Sequence, residues 1–267
     1  MSTQLKKTVF VKFGGSLITN KRVEKSFRAD VVKRLALEIR EAITANPDIR
    51  LLIAHGSGSF GHFSAQRHNT IHGVRDEEQW SGFAEVASVA AELNFKVNKL
   101  LREADIPTWR IQPSASAISV DGVLQSMATE PIAQALDNGL VPLLYGDVSI
   151  DTTRGGTIVS TEQLFGYLVE HMQVDSMVLL GEVEGVLDYE RQVISTISKE
   201  NLPAIQAILG GSSGTDVTGG MLGKVASMLE ISSKSSNLEL RLCDGRVTGL
   251  LRDVLSGSIS PGTVIKA

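Results

Sequence analysis

The chain has 267 residues, 42 % of them hydrophobic, a formal net charge of −4 and one cysteine, Cys243. That length holds one large α/β domain or two small ones with a sizeable core. With 26 basic residues against 30 acidic ones and no basic stripe, a nucleic-acid surface is not expected; a lone cysteine gives neither an internal disulfide nor a CxxC pair, and no apolar run reaches the ~18 residues of a membrane span.

The elements follow in chain order. Residues 8–11 (TVFV) are short, β-branched and aromatic, and read as a buried strand. It ends in Lys12-Phe13-Gly14-Gly15-Ser16. A cation at a strand tip before a turn without side chains lets an ammonium and backbone N–H groups converge on a phosphate; it equally describes a tight turn with a solvated lysine. Residues 28–45 carry Val31, Leu35, Ile39 and Ile43 at helical spacing. Residues 50–54 (RLLIA) form a second buried strand, running into His55-Gly-Ser-Gly-Ser-Phe-Gly-His62. A long helix is expected over 77–104, with Phe83, Val86, Val89, Leu93, Val97 and Leu100. A short strand at 109–111 precedes a helix over 130–138, stopped by Gly139.

Residues 140–145 form a core strand ending in Gly146-Asp147. Residues 155–159 lead into Ser160-Thr161-Glu162-Gln163 and a helix to about His171. Residues 176–180 are another buried strand, opening into Gly181-Glu182-Val-Glu-Gly-Val186. Residues 210–220 read as a mobile loop of Gly, Ser and Thr, ending where Gly219-Gly220-Met-Leu-Gly-Lys224 starts a helix. A late strand covers 239–242, and a terminal one 262–265. There are 25 glycines and 5 % aromatics, which suits a mainly parallel sheet covered by helices. No repeat or low-complexity linker divides the chain. In such sheets ligands lie beyond the carboxyl ends of the strands, and five loops qualify: those near Gly14, Gly56, Asp147 and Gly181, and the one before Lys224.

Gly56, Gly58 and Gly61 spell G-x-G-x-x-G after a strand. A dinucleotide fingerprint should open a well-formed helix and place a ribose carboxylate at the end of a second strand. Residues 63–69 are short and polar, and Asp76, Glu77 and Glu78 look like a helix start. The glycines therefore read as close backbone approach to an anion, with His62 either a phosphate donor at the loop tip or a surface histidine. The run at Lys224 is not a P-loop, because Thr218 and Val225 break the spacing. A helix N-terminus with Lys224 makes a phosphate clamp, or an exposed lysine behind a cap from Asp216 or Thr218. Glu162 either holds two lysines or caps a helix. Lys21 alone is a surface lysine. HExxH, Gly-x-Ser-x-Gly and metal-ligand spacings are absent, so a hydrolase or metalloenzyme has no footing.

Together these residues resemble the amino-acid kinase superfamily and, within it, the isopentenyl phosphate kinases. The likeness rests on Lys12-Phe-Gly-Gly-Ser, His55-Gly-Ser-Gly-Ser-Phe-Gly-His62, Ile111-Gln-Pro-Ser114, Val141-Pro…Gly146-Asp147 and Asp216-Val-Thr-Gly-Gly-Met221 with Lys224. It implies a three-layer αβα sandwich with a mainly parallel central sheet. One domain over 1–267 would have an acceptor half, about 1–170, and a nucleotide half, about 171–267. It implies ATP-dependent phosphorylation of isopentenyl phosphate to the diphosphate, with Mg²⁺ carried on ATP and no protein metal ligand. By the same resemblance Lys12 and Lys224 contact the transferring group, assisted by Lys21. Gly14, Gly15, Ser16, Gly58, Gly181, Glu182 and Gly220 meet the nucleotide; Ser57, His62 and Thr161 hold the acceptor phosphate.

Phosphoryl transfer needs in-line placement and charge neutralisation more than covalent chemistry. An ionised acceptor phosphate needs no strong base, which fits the lack of a base candidate. Trp80, Phe83 and Val86 read either as core packing or as the lining of an apolar tail pocket, Phe83 most of all. Three departures stand out: Ser57 replaces a usual glycine, Thr161-Glu162-Gln163 a usual Gly-Asp-Asp, and Gly181-Glu182-Val-Glu a usual Thr-Asp-Val-Asp. Glu162 keeps the carboxylate, one methylene longer, and is expected to orient Lys12 and Lys224. The rival readings are a kinase for another small phosphate or phosphonate such as fosfomycin, which shares the Phe-Gly-His ending, and a catalytically silent binding protein of the same fold. A homodimer is expected from the resemblance. The polar, basic start (residues 1–7) lacks a signal peptide's apolar stretch, so a cytoplasmic setting is expected.

Overall fold

The computed structural model describes residues 6–210, 220–235 and 238–267. In chain order the first part comprises β1 (Lys7–Phe13), α1 (Gly15–Ile18), α2 (Ala29–Ala45), β2 (Ile49–His55), α3 (Gly58–His68), α4 (Glu77–Glu103) and β3 (Thr108–Arg110). Then come β4 (Ile118–Val120), β5 (Val123–Ser126), α5 (Glu130–Asp137), β6 (Val141–Tyr145), β7 (Asp147–Asp151), β8 (Gly155–Val159) and α6 (Thr161–His171). The remainder holds β9 (Ser176–Gly181), β10 (Thr196–Ile197), α7 (Leu202–Gly210), α8 (Gly220–Ser233), β11 (Glu239–Asp244), α9 (Leu250–Ser256) and β12 (Thr263–Ile265).

Eight strands form one sheet in the order β10-β12-β11-β9-β1-β2-β6-β3, parallel throughout except for β11 against β12. Alternation along β1 explains the layers. Val9, Val11 and Phe13 enter one buried cluster with Val32, Leu35 and Ile39 of α2, Leu93 and Val97 of α4, and Leu251 of α9. Phe10 enters the cluster on the opposite face, with Leu164, Phe165 and Leu168 of α6 and Val225 and Met228 of α8. Phe10 and Phe165 pack with ring centroids 5.1 Å apart. A helical layer thus covers each face of the sheet, as expected.

The expected helices over 28–45, 77–104 and 130–138 fall within a residue of α2, α4 and α5. Asp76 caps α4 by accepting the Gln79 N–H at 2.8 Å. Two expectations need correction. The glycine motif does open a helix: α3 starts at Gly58 and runs through the stretch read as short and polar. Its buried residues are Ser59, Phe60, Gly61 and Ser64, mostly small, so no apolar stripe marks it. The second concerns β4, β5, β7 and β8, which build a separate four-stranded sheet, in the order β5-β4-β7-β8, between β3 and α6. The loop read over 210–220, with Asp216 and Thr218, lies largely outside the described residues.

Candidate active site

β1, β2 and β9 run parallel and end side by side. Beyond their carboxyl ends lies a cavity of about 500 Å³ lined by the loops after all three strands and by the start of α8. Lys12 is the penultimate residue of β1. By alternation it shares the face of Phe10, and so reaches α6 and α8 rather than α2. Its Nζ donates to a carboxylate oxygen of Glu162 in the first turn of α6. That turn is fixed by a capping box: the Ser160 hydroxyl accepts the Gln163 N–H at 3.1 Å, and the Gln163 side chain accepts the Ser160 N–H at 3.4 Å. Burial pushes the Glu162 carboxyl up, but Lys12, with Lys224 adding its charge, holds it below the ordinary carboxylate range. Glu162 is therefore an ionised anchor for cations, not a proton acceptor. Lys224 lines the cavity from α8, and Lys21 lines it from the loop after α1.

The glycines are where backbone must touch backbone. A Cβ on Gly14 would lie 2.7 Å from the Leu180 carbonyl oxygen, which accepts the Gly14 N–H at 2.8 Å. A Cβ on Gly15 would lie 2.7 Å from the Gly58 nitrogen. Gly58 has φ +50° and no room for a side chain beside Thr19. The buried Thr19 hydroxyl joins the two loops: it donates to the Gly15 carbonyl at 2.6 Å and accepts the Ser59 N–H at 2.9 Å. Ser16, Gly181 and Glu182 complete this wall. The Glu182 carboxylate accepts from Arg28 at 2.5 Å.

A second cavity of about 440 Å³ adjoins the first, and Ser57 and His62 line both. Its walls include Ile71, Val86, Ala90 and Ile158, with Asp147 as the buried acid. Burial raises the Asp147 carboxyl, against bonds from the N–H groups of Ser114 (3.1 Å) and Val148 (2.8 Å). The Tyr145 hydroxyl lies near Asp147 but, among the described residues, has no partner in hydrogen-bond geometry.

The site residues named from sequence mostly converge. Lys12, Gly14, Gly15, Ser16, Lys21, Ser57, Gly58, His62, Glu162, Gly181, Glu182 and Lys224 all line the first cavity. Thr161 and Phe83 line neither cavity. The Thr161 hydroxyl is buried and donates to the His55 carbonyl at 3.0 Å. Phe83 packs edge-on against Trp80, centroids 5.3 Å apart, over Gly156. Of the three tail-pocket candidates only Val86 reaches the second cavity. Gly220 begins α8. Gly56 was read only as part of the glycine motif and Thr19 was not singled out; the hydroxyl two residues before Lys21 was the available signal for Thr19.

Among the described residues no three His, Cys, Asp or Glu side chains gather to hold a metal ion. The two carboxylates of the first cavity, Glu162 and Glu182, are both taken by cations. The arrangement can neutralise clustered anionic charge, and among the described residues neither carboxylate of the first cavity is free to deprotonate a neutral nucleophile.

The amino acid kinase family profile matches residues 7–244. An isopentenyl phosphate kinase from Methanocaldococcus jannaschii is 33 % identical over 221 residues, 80 % of this chain and 84 % of that protein. One from Haloferax volcanii is 33 % identical over 269 residues, covering 97 % and 98 %. A crystal structure of an isopentenyl phosphate kinase superposes with a TM-score of 0.80 at 26 % identity, covering 97 % of this chain and all of that one. Among the described residues no helix is long and apolar enough to cross a membrane. The chain belongs to the amino acid kinase family, and within it is similar to the isopentenyl phosphate kinases.

Proposed function

We propose that this protein transfers the γ-phosphoryl group of ATP to isopentenyl phosphate, giving isopentenyl diphosphate and ADP. The observation that carries the reading is the junction at Ser57 and His62, where a lysine-lined cavity opens onto a less polar one. An acceptor with a phosphate head and an apolar tail spans that junction, with its head against the cations and its tail toward Ile71, Val86, Ala90 and Ile158.

In this reading an oxygen of the acceptor phosphate attacks the γ-phosphorus, and the bond to the β–γ bridging oxygen breaks. Both partners are anions, so the cost lies in bringing them together. Lys12 from the sheet and Lys224 from the helix covering that face offset charge on the transferring group, held by the ionised Glu162, and Lys21 assists. The amides of Gly15, Ser16 and Gly58 face the nucleotide phosphates beside the side-chain-free Gly14, and the Gly181–Glu182 turn and Gly220 border the nucleotide. His62 and the Ser57 backbone take the acceptor phosphate. Mg²⁺ enters with the phosphates of ATP; the cation-bound carboxylates of the cleft do not suit it as ligands, and no step is assigned to it. Residues 1–170 supply most of the acceptor side and 171–267 most of the nucleotide side of one working unit, which we take to act as a cytoplasmic homodimer.

The test is turnover with ATP and Mg²⁺ on isopentenyl phosphate and fosfomycin in parallel, with calorimetry of ATP binding. Isopentenyl diphosphate formation supports the reading. Exclusive turnover of fosfomycin replaces the substrate; ATP binding without turnover on any phosphate acceptor makes the protein a sensor.

A further inference from the structure

His55 ends β2, is fully buried, and lines neither cavity. Its Nδ1 lies 3.1 Å from the carbonyl oxygen of Gly56, and its Nε2 lies 3.1 Å from the amide nitrogen of Asn94. The ring stacks on Tyr145, centroids 5.9 Å apart and planes at 13°. Asn94, buried on α4, accepts the Arg110 Nε–H through its oxygen at 2.8 Å.

These contacts fix the proton on His55 by elimination. A guanidinium only donates, so Asn94 turns its oxygen to Arg110 and its NH₂ to His55. That NH₂ donates, so Nε2 is the bare acceptor. A carbonyl oxygen only accepts, so Nδ1 carries the hydrogen. Burial lowers the His55 pKa to about 4, opposed by the bond to Gly56 and reinforced by the charge of Arg110, so the ring stays neutral.

The bonded carbonyl belongs to the Gly56–Ser57 peptide. A trans peptide points its N–H opposite to its C=O, and the described residues hold no cis bond. Pinning the carbonyl against His55 therefore turns the Ser57 N–H away from the buried ring, toward the side where Ser57 lines both cavities. That N–H has no partner among the described residues. The His55 backbone oxygen is itself held by the Gly146 N–H at 3.1 Å and the Thr161 hydroxyl at 3.0 Å. A loop that must stay clear of side chains on its ligand side is thus fastened from behind.

We propose that Arg110, Asn94 and His55 form a positioning relay: the chain of donors sets the tautomer of His55, which holds the Gly56 carbonyl and aims the Ser57 N–H at the acceptor phosphate. The acceptor assignment rests on the function proposed above; the tautomer does not. Two-bond ¹H–¹⁵N correlation of the whole protein labelled at histidine reads the tautomer directly. A neutral ring protonated at Nδ1 at pH 7 is expected; a ring protonated at Nε2, or at both nitrogens, overturns the relay.

The functional half uses Asn94→Leu, which frees the tautomer, and Asn94→Asp, which keeps an acceptor for Arg110 but offers Nε2 no donor, so that a proton should move onto Nε2. Asn94→Leu should raise KM for isopentenyl phosphate about tenfold, the scale of one lost hydrogen bond, with KM for ATP within about twofold. Asn94→Asp should show a proton on Nε2 in the same correlation spectrum, and an Nε2 that stays bare contradicts the relay. An equal rise in both KM values, or none, contradicts positioning. Should Asn94→Leu fail to fold, the Ser57 amide resonance of the wild type decides. It should shift on titration with isopentenyl phosphate, and an unmoved resonance overturns the proposal. A wild type inert toward isopentenyl phosphate but protonated at Nδ1 removes the acceptor reading and leaves the tautomer standing.

Discussion

The two cavities share Ser57 and His62 yet differ in what surrounds those two residues. The first is walled by glycine backbone and reached by Lys12, Lys21 and Lys224. The second sets Ile71, Val86, Ala90 and Ile158 beside Gln66, Asn69 and His72, with Asp147 as its one carboxylate among the described residues. A single segment, the Gly56–Ser57 loop and the first turn of α3 to His62, borders both. The contrast separates two tasks: the cation-lined side can overcome repulsion between anions, and the other side can select the group an anion carries. Substitutions on the two sides should therefore have separable kinetic signatures.

The largest effect on turnover should come from Lys12→Met, which removes the cation at the strand end. We expect kcat to fall by roughly 10²–10³-fold, the scale of losing one preorganised charge donor; single-turnover quench with ATP in excess checks it. Next, Glu162→Gln keeps the shape but not the charge that orients Lys12. Here kcat should drop about tenfold or more, an electrostatic loss of ~1.4 kcal/mol, and an unchanged rate would reduce Glu162 to a helix cap. His62→Ala sits on the shared loop: KM for the acceptor should rise about tenfold while calorimetric ATP affinity holds, as for a lost phosphate hydrogen bond. Ala90→Leu touches only the second cavity. It should lower kcat/KM for isopentenyl phosphate by about five- to tenfold, by overfilling the wall, and leave kcat for a shorter alkyl phosphate unchanged.

The smallest effect on turnover at neutral pH, and a clear one on stability, comes from behind the shared loop. His55 has a pKa of about 4 against an ordinary 6.5. The unfolded chain binds a proton there that the folded chain refuses, so stability is full above about pH 6.5 and falls as pH drops toward 4. Glu162, held low by its cations, adds to the same trend at still lower pH, losing its contribution as pH falls through its folded value. The melting temperature should fall by about 5 °C between pH 6.5 and pH 5, and His55→Gln should flatten that slope.

Much of this architecture was legible because it repeats simple periods. The β1 run, the four-residue recurrence of α2 and the glycine loops fix where strands end and helices begin. The lysines were legible only as a set, because an isolated lysine reads as surface, and the sheet is what brings Lys12 to α6 and α8. Helix α3 was hidden because its buried face is mostly Ser and Gly, with Phe60 its one large apolar residue. The small sheet did carry a signal: Asp121-Gly122 joins β4 to β5, with φ of +50° and +83°, the pattern of a two-residue hairpin turn. Its other anchor was invisible, since Asp151 accepts N–H groups from Asp121, Gly122, Thr153 and Arg154 across two loops. Phe83 was misplaced for a similar reason: helical spacing gives its face, but only β8 shows that Gly156 occupies it.

The central claim is that the shared loop joins two phosphates and does not activate an alcohol. The most direct measurement is ³¹P NMR of the products formed from ATP with isopentenyl phosphate and, separately, with isopentenol. The account predicts a diphosphate from the first and no phosphorylated product from the second. Monophosphate formed from the alcohol, with the phosphate left untouched, would contradict it.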